Sequence, residues 1–169
     1  GTVLSGPGLS SSATALSLAN TRFVALSNLT IRNARTGLLV DRSEGVALTF
    51  LSALANSNGV VLRSSSNIVV SRSVLSHNPG IGFSNGGSSS TNRLEHSVIL
   101  SNGLSGVDHS SGRLDVRSSV LAAYGLNSLV YNVQSNALLA ANFNNVLTYD
   151  NASVARFGFS VSKALNRWQ

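Results

Sequence analysis

Six acidic residues carry whatever general acid or base chemistry the chain has: Asp41, Glu44, Glu95, Asp108, Asp115 and Asp150. Against them stand 12 basic residues, giving a net charge of +6, and Lys163 is the single lysine. The cationic surface is therefore arginine, whose planar fork holds carboxylate, sulfate or phosphate through parallel hydrogen bonds. Asp108-His109-Ser110 spells the letters of a catalytic triad, yet consecutive residues on a strand point to opposite faces and cannot form the relay. His77, His96 and His109 are the nitrogen candidates for a metal ion, but they fall at different places in the repeat described below, which argues against a shared zinc site. With no cysteine there is no thiol chemistry, thiolate metal site or disulfide. Gly80-Ile81-Gly82 and Gly86-Gly87 lack the helix and lysine that a phosphate-cradling loop requires.

The elements that must position these groups announce themselves as a repeat. Asn28-Leu29-Thr30, Ser52-Ala53-Leu54, Ser73-Val74-Leu75, Ser97-Val98-Ile99, Ser119-Val120-Leu121 and Asn145-Val146-Leu147 share one pattern, a small polar residue followed by mostly apolar ones. Their first residues are 24, 21, 24, 22 and 26 apart. A unit this short cannot bury its own apolar face and has to stack on its neighbours as a solenoid. A second run, opened by glycine, follows at Gly37, Gly59, Gly80, Gly103 and Gly125, with Asn58, Asn78 and Asn102 just before three of them, as tight corners demand. A third follows at Val46-Ala47-Leu48, Ile68-Val69-Val70, Leu114-Asp115-Val116 and Ala137-Leu138-Leu139. Leu94 holds the same place in a coil stretched by Gly86-Gly87-Ser88-Ser89-Ser90.

Three short strands per coil predict an all-β fold, a three-walled prism of parallel sheets with about 22 to 24 residues per coil and ~4.8 Å between coils. Residues 1–169 form a single domain in this reading, with regular coils over about 23–150 and atypical ends at 1–22 and 151–169. Short helical caps are expected only at the ends, over 12–25 and 162–169. Phe83, Tyr124, Tyr131, Phe143, Tyr149, Phe157, Phe159 and Trp168 read as stacked core or cap residues. With 43% apolar and only 11% charged residues, the composition is not that of a disordered chain. No run of adjacent basic residues resembles a nucleic-acid arm, and no apolar run approaches the ~20 residues of a membrane span. A start at Gly1 without any methionine leads to the expectation of a processed or excised segment.

Ser27-Asn28-Leu29-Thr30-Ile31, Ser66-Asn67-Ile68-Val69-Val70 and Asn102-Gly103-Leu104 resemble the right-handed parallel β-helix repeat of pectate-lyase-like proteins, over about residues 23–150. The resemblance implies a right-handed coil and an extracellular or cell-surface setting. It also implies a choice among polysaccharide lyases and hydrolases, phage tailspikes, adhesins and structural proteins. Hydrolysis needs two carboxylates ~5 to 9.5 Å apart. The predicted register puts Asp41, Arg63, Ser84 and Asp108 in one column, with Asp41 and Asp108 three coils or ~14 Å apart, so the hydrolase weakens. A lyase remains open through an arginine base such as Arg63 or Arg117, with calcium the one cofactor in play and only in that case. The leading expectation is a secreted structural or adhesive module without catalytic residues, resident cofactor or metal. Its partners are another copy joined end to end into a filament or a surface polysaccharide, contacted through Arg63, Arg117, Asp41 and Asp108. Asn28-Leu29-Thr30 and Asn151-Ala152-Ser153 match the glycosylation acceptor pattern.

Overall fold

A computed structural model describes residues 1–122 in full and, beyond them, the backbone of the remaining strands up to Trp168. The first coil contains β1 (Thr2–Ser5), β2 (Thr14–Ala19) and β3 (Ala25–Ser27); the second, β4 (Leu29–Arg32), β5 (Thr36–Asp41) and β6 (Ala47–Thr49). The third has β7 (Ser52–Leu54), β8 (Asn58–Arg63) and β9 (Val69–Ser71), and the fourth β10 (Val74–Ser76), β11 (Ile81–Gly86) and β12 (Asn92–Glu95). The fifth has β13 (Val98–Leu100), β14 (Ser105–His109) and β15 (Gly112–Arg117). The sixth has β16 (Val120–Ala123), β17 (Ser128–Tyr131) and β18 (Ala137–Asn142), and β19 (Asn145–Thr148) and β20 (Arg167–Trp168) follow. Every third strand pairs in parallel, which makes three walls: wall one from β1, β4, β7 and onward, wall two from β2 to β17, and wall three from β3 to β18. Stacking thus reaches back to Thr2, and residues 14–19, allowed a helical cap by the sequence, are a strand paired with β5. The side chains of Tyr124, Tyr131, Phe143, Tyr149, Phe157, Phe159 and Trp168, and Asp150, Asn151 and Lys163, lie outside the described residues.

Alternate residues of each strand face inward and stack in columns. Ile31, Ala53, Leu75 and Ile99 line wall one, Leu38, Val60, Phe83 and Val107 wall two, and Leu48, Val70, Leu94 and Val116 wall three, all buried. The interior is apolar because the three walls close around it and the coils above and below cover each inward side chain, keeping water out.

Corners are the demanding part, since the backbone turns away from its ladder there and its N–H groups would be left buried without acceptors. Three columns of side chains supply the acceptors. Asn56 Oδ1 accepts from Ala34 N at 3.1 Å, Asn78 Oδ1 from Asn56 N at 2.9 Å, and Asn102 Oδ1 from Asn78 N at 3.2 Å. Their amide groups donate back to the carbonyls of Ile31, Ala53 and Leu75. Ser43, Ser65 and Ser89 accept in the same way from Thr21, Ser43 and Ser65, and Ser73, Ser97 and Ser119 from Leu51, Ser73 and Ser97. The asparagine column also explains the glycines. A Cβ on Gly37 would lie 2.8 Å from Asn56 Nδ2, and one on Gly82 would lie 2.5 Å from Asn102 Nδ2.

The true register places Thr30, Ser52, Val74, Val98, Val120 and Asn145 in one column. The polar markers read from the sequence therefore mix three columns: Ser52 and Asn145 lie in this one, Ser73, Ser97 and Ser119 in the one before it, where Leu51 precedes them, and Asn28 one position earlier still. Asn78→Ala leaves the buried Asn56 amide without its acceptor. It should destabilise the protein by about 1–3 kcal/mol in denaturant titrations, whereas Asn28→Ala, on an exposed corner, should cost less.

Candidate functional site

Where an outward face carries charge at alternate positions, a strand can present a functional array, and wall three does so in coils four and five. Arg93-Leu94-Glu95 and Arg113-Leu114-Asp115-Val116-Arg117 send leucine and valine into the core and every charged side chain outward. The parallel register sets Arg93 beside Asp115 and Glu95 beside Arg117, so opposite charges are neighbours across the strands as well as along them. In the preceding coils the same outward columns hold Ala47 and Val69, then Thr49 and Ser71, all uncharged.

Asp115 is the hub. Arg113 Nε donates to its Oδ1 at 3.0 Å and Arg117 Nη2 to its Oδ2 at 2.9 Å, while its side chain is only 8% exposed. The two guanidinium groups remain 47% and 42% exposed. Each keeps donors beyond those used on Asp115, since an arginine carries five. Arg93 and Glu95 make a looser pair at 3.8 Å. Glu95 and Asp115 lie diagonally, roughly 8 Å apart by strand spacing and rise, inside the range of an inverting carboxylate pair. Both are already matched to arginine. The arrangement is suited to holding an anion rather than to moving a proton.

The four residues singled out in the sequence do not converge. Arg117 belongs to the wall-three array. Asp41, Arg63 and Asp108 lie on the outward side of wall two, and the column predicted for them is split. Asp41 pairs with Arg63 and Arg63 with Gly86, while Ser84 pairs with Val61 and Asp108. The extra residue that shifts the register sits at the corner before β11: Asn56 is three positions before Gly59, whereas Asn78 is four before Gly82. Asp41 is engaged by its neighbour Arg42 at 3.0 Å, and Ser84 Oγ donates to Asp108 at 3.4 Å. Arg93, Glu95, Arg113 and Asp115 drew no attention in the sequence as a group. The legible signal was their charged–apolar alternation in two successive coils.

Of the Asp108-His109-Ser110 letters, Asp108 faces out and His109 faces in, fully buried. The interior turns polar here, with Asn85 and His109 continuing the column of Val40 and Leu62. Hydrogen-bond direction fixes the ring. Ile68 N–H can only donate, so Asn92 Oδ1 accepts, Asn92 Nδ2 donates to Asn85 Oδ1, and Asn85 Nδ2 donates to His109 Nδ1. His109 Nδ1 is thus an acceptor and its ring proton sits on Nε2. His77 and His96 occupy two different exposed corners.

The family model described as the right handed beta helix region matches residues 9–164, and the chain belongs to that family. No curated protein matches it. Among solved structures, a mutant of the periplasmic alginate epimerase AlgG is similar at 18% identity and a TM-score of 0.65, over 86% of this chain and 38% of that one. The pectate lyase Pel9A is similar at 14% identity and a TM-score of 0.56, covering 83% of this chain and 52% of that one. An alginate lyase from a Paenibacillus species is similar at 14% identity and a TM-score of 0.52, covering 86% and 78%. The chain thus spans well under half of the epimerase structure, and at these identities the likeness is one of fold.

Asp115→Asn removes the charge that organises Arg113 and Arg117 and leaves the site short of one acceptor. With the arginines half exposed, the loss in stability should be about 1–2 kcal/mol, smaller in high salt, and visible as a lower midpoint in urea.

Proposed function

We propose that this protein is an exported β-helix module that binds anionic polysaccharide along the outward face of wall three. The observation that carries the reading is the array of Arg93, Arg113 and Arg117 on a flat, rigid sheet face, with Asp115 fixing two of the three guanidinium groups. Guanidinium groups held by a buried carboxylate lose little conformational freedom when they bind a second anion, so the face is pre-organised for uronate carboxylates. The similar structures are an epimerase and lyases of alginate and pectate, the epimerase periplasmic, which agrees with this choice of ligand and with export. Binding, in an adhesive or structural role, is favoured over cleavage because both carboxylates of the array are matched to arginine. Alginate and polygalacturonate should bind in calorimetric titrations, more weakly as salt rises. The Arg113→Gln and Arg117→Gln double variant should lose at least about tenfold in affinity. Neutral glucans should not bind. Release of unsaturated uronate, with or without calcium, would replace this account with a lyase.

Self-association through the N-terminal coil is a second reading, carried by a separate observation. β1, β2 and β3 each end a sheet, and Leu4, Leu16, Leu18 and Leu26, which point toward the core, are only partly covered there. An edge of this kind pairs with whatever strands lie against it, and in this reading those are another copy's. Sedimentation velocity should show a mass that grows with concentration, and Leu16→Lys should return it to monomer; a single species at all concentrations would remove this reading.

A further inference from the structure

The corners of the solenoid hold residues with positive φ, one each after walls one and three and two between walls two and three in coils one to four, and the occupants of these columns are informative. The corner after wall three stacks Asn28, Phe50, Arg72, His96 and Ser118, with φ of 58°, 55°, 49°, 49° and 47°. The corner before wall three stacks Phe23 (φ 54°), Gly45 (φ 65°), Asn67 (φ 55°) and Thr91 (φ 51°). Glycine and asparagine accept this conformation cheaply, whereas a residue with a bulky side chain there costs about 1–2 kcal/mol. Two phenylalanines nevertheless occupy it, and burial does not offset the cost: Phe23 is 82% exposed and Phe50 50%. Each ring is also positioned. A Cβ on Gly45 would lie 2.9 Å from Phe23 Cδ1, so the glycine leaves room for the ring to lie over the next coil. The Arg72 guanidinium stands 5.8 Å from the Phe50 ring centroid, within cation–π range. Strained, exposed and oriented side chains of this kind point to a ligand.

The floor between the two edges indicates its chemistry. In coils one to three the outward residues of wall three are Ala25, Ala47 and Val69 in one column and Ser27, Thr49 and Ser71 in the other, without charge. Methyl groups, a line of hydroxyls (Thr49 Oγ1 and Ser71 Oγ are 3.4 Å apart) and an aromatic ring at either edge complement a pyranose, which has apolar C–H faces and a hydroxyl rim. The same face continues without a break into the arginine array of coils four and five.

We propose that Phe23 and Phe50 are stacking platforms for pyranose rings, so that a sugar chain anchored by its carboxylates at Arg113 and Arg117 runs along the solenoid axis across the uncharged half of wall three. This rests on the anionic-polysaccharide reading above and adds a direction and a minimum length to it. From coil five to coil one is four steps, ~19 Å. A uronate oligomer that long reaches the rings; one covering only coils four and five does not.

The test titrates both lengths of oligouronate into the wild type and into a Phe23→Asn, Phe50→Asn double variant by calorimetry, and records the melting temperature of each protein. Asparagine suits positive φ, so the variant should melt higher than the wild type while losing about three- to tenfold in affinity per ring for the long oligomer alone. The short oligomer should bind both proteins equally. Unchanged affinity for the long oligomer, or a lower melting temperature showing that the rings serve the fold, overturns the proposal. If long and short oligomers bind the wild type equally and still depend on Arg113 and Arg117, the platforms fail and the anionic site stands. If neither length binds, both fail.

Discussion

Everything in this molecule depends on satisfying backbone N–H groups at the corners of a 22-residue coil. Within the walls, parallel pairing takes care of the backbone. Between walls, each corner amide needs an acceptor from the following coil, and the Asn56–Asn78–Asn102 and serine columns provide it. Because each of these side chains bonds to the coil before it, the stack is specified one step at a time. A register error would strand several buried polar groups at once. The glycine column beside the asparagines and the positive-φ residues at each corner are consequences of that same constraint.

A frame fixed in this way lets the outward faces vary freely, and here they vary along the axis. Wall three passes from alanine, threonine and serine in its first coils to arginine, glutamate and aspartate in the fourth and fifth, while the inward leucines and valines remain constant. Regular backbone spacing thus converts two short stretches of sequence into a two-dimensional charge pattern. Asp115, nearly buried between two half-exposed arginines, gives that pattern its rigidity.

The wall count, the all-β class and the coil length were legible because inward apolar residues recur every other position within a strand and every 22 to 24 positions between coils. Finer register was less so. Leu51 takes the corner position that Ser73 and Ser97 fill in later coils, which drew the polar marker onto Ser52, an outward residue. Gly80 and Gly82 offered two equivalent starts for one strand, and only the ladder, with Phe83 opposite Val60, decides for Gly82. The slip assigned to Gly86 to Ser90 is shared: one residue is added at the corner before β11 and one before β12. Candidate site residues were chosen by charge in a presumed column, so Asp41, Arg63 and Asp108 were grouped while the alternating stretches 93–95 and 113–117 were not. Phe23 and Phe50 carried no sequence signal at all, because what marks them is a backbone conformation that single-residue propensity does not reveal.

The most direct test of the central claim, that wall three is the ligand face, is nuclear magnetic resonance of the arginine side chains in labelled protein during titration with an oligouronate. The Nε signals of Arg93, Arg113 and Arg117 should shift together and saturate, while those of Arg32 on wall one and Arg42 beside wall two stay in place. Uniform small shifts of all arginines, or saturation confined to Arg42 and Arg63, would contradict it.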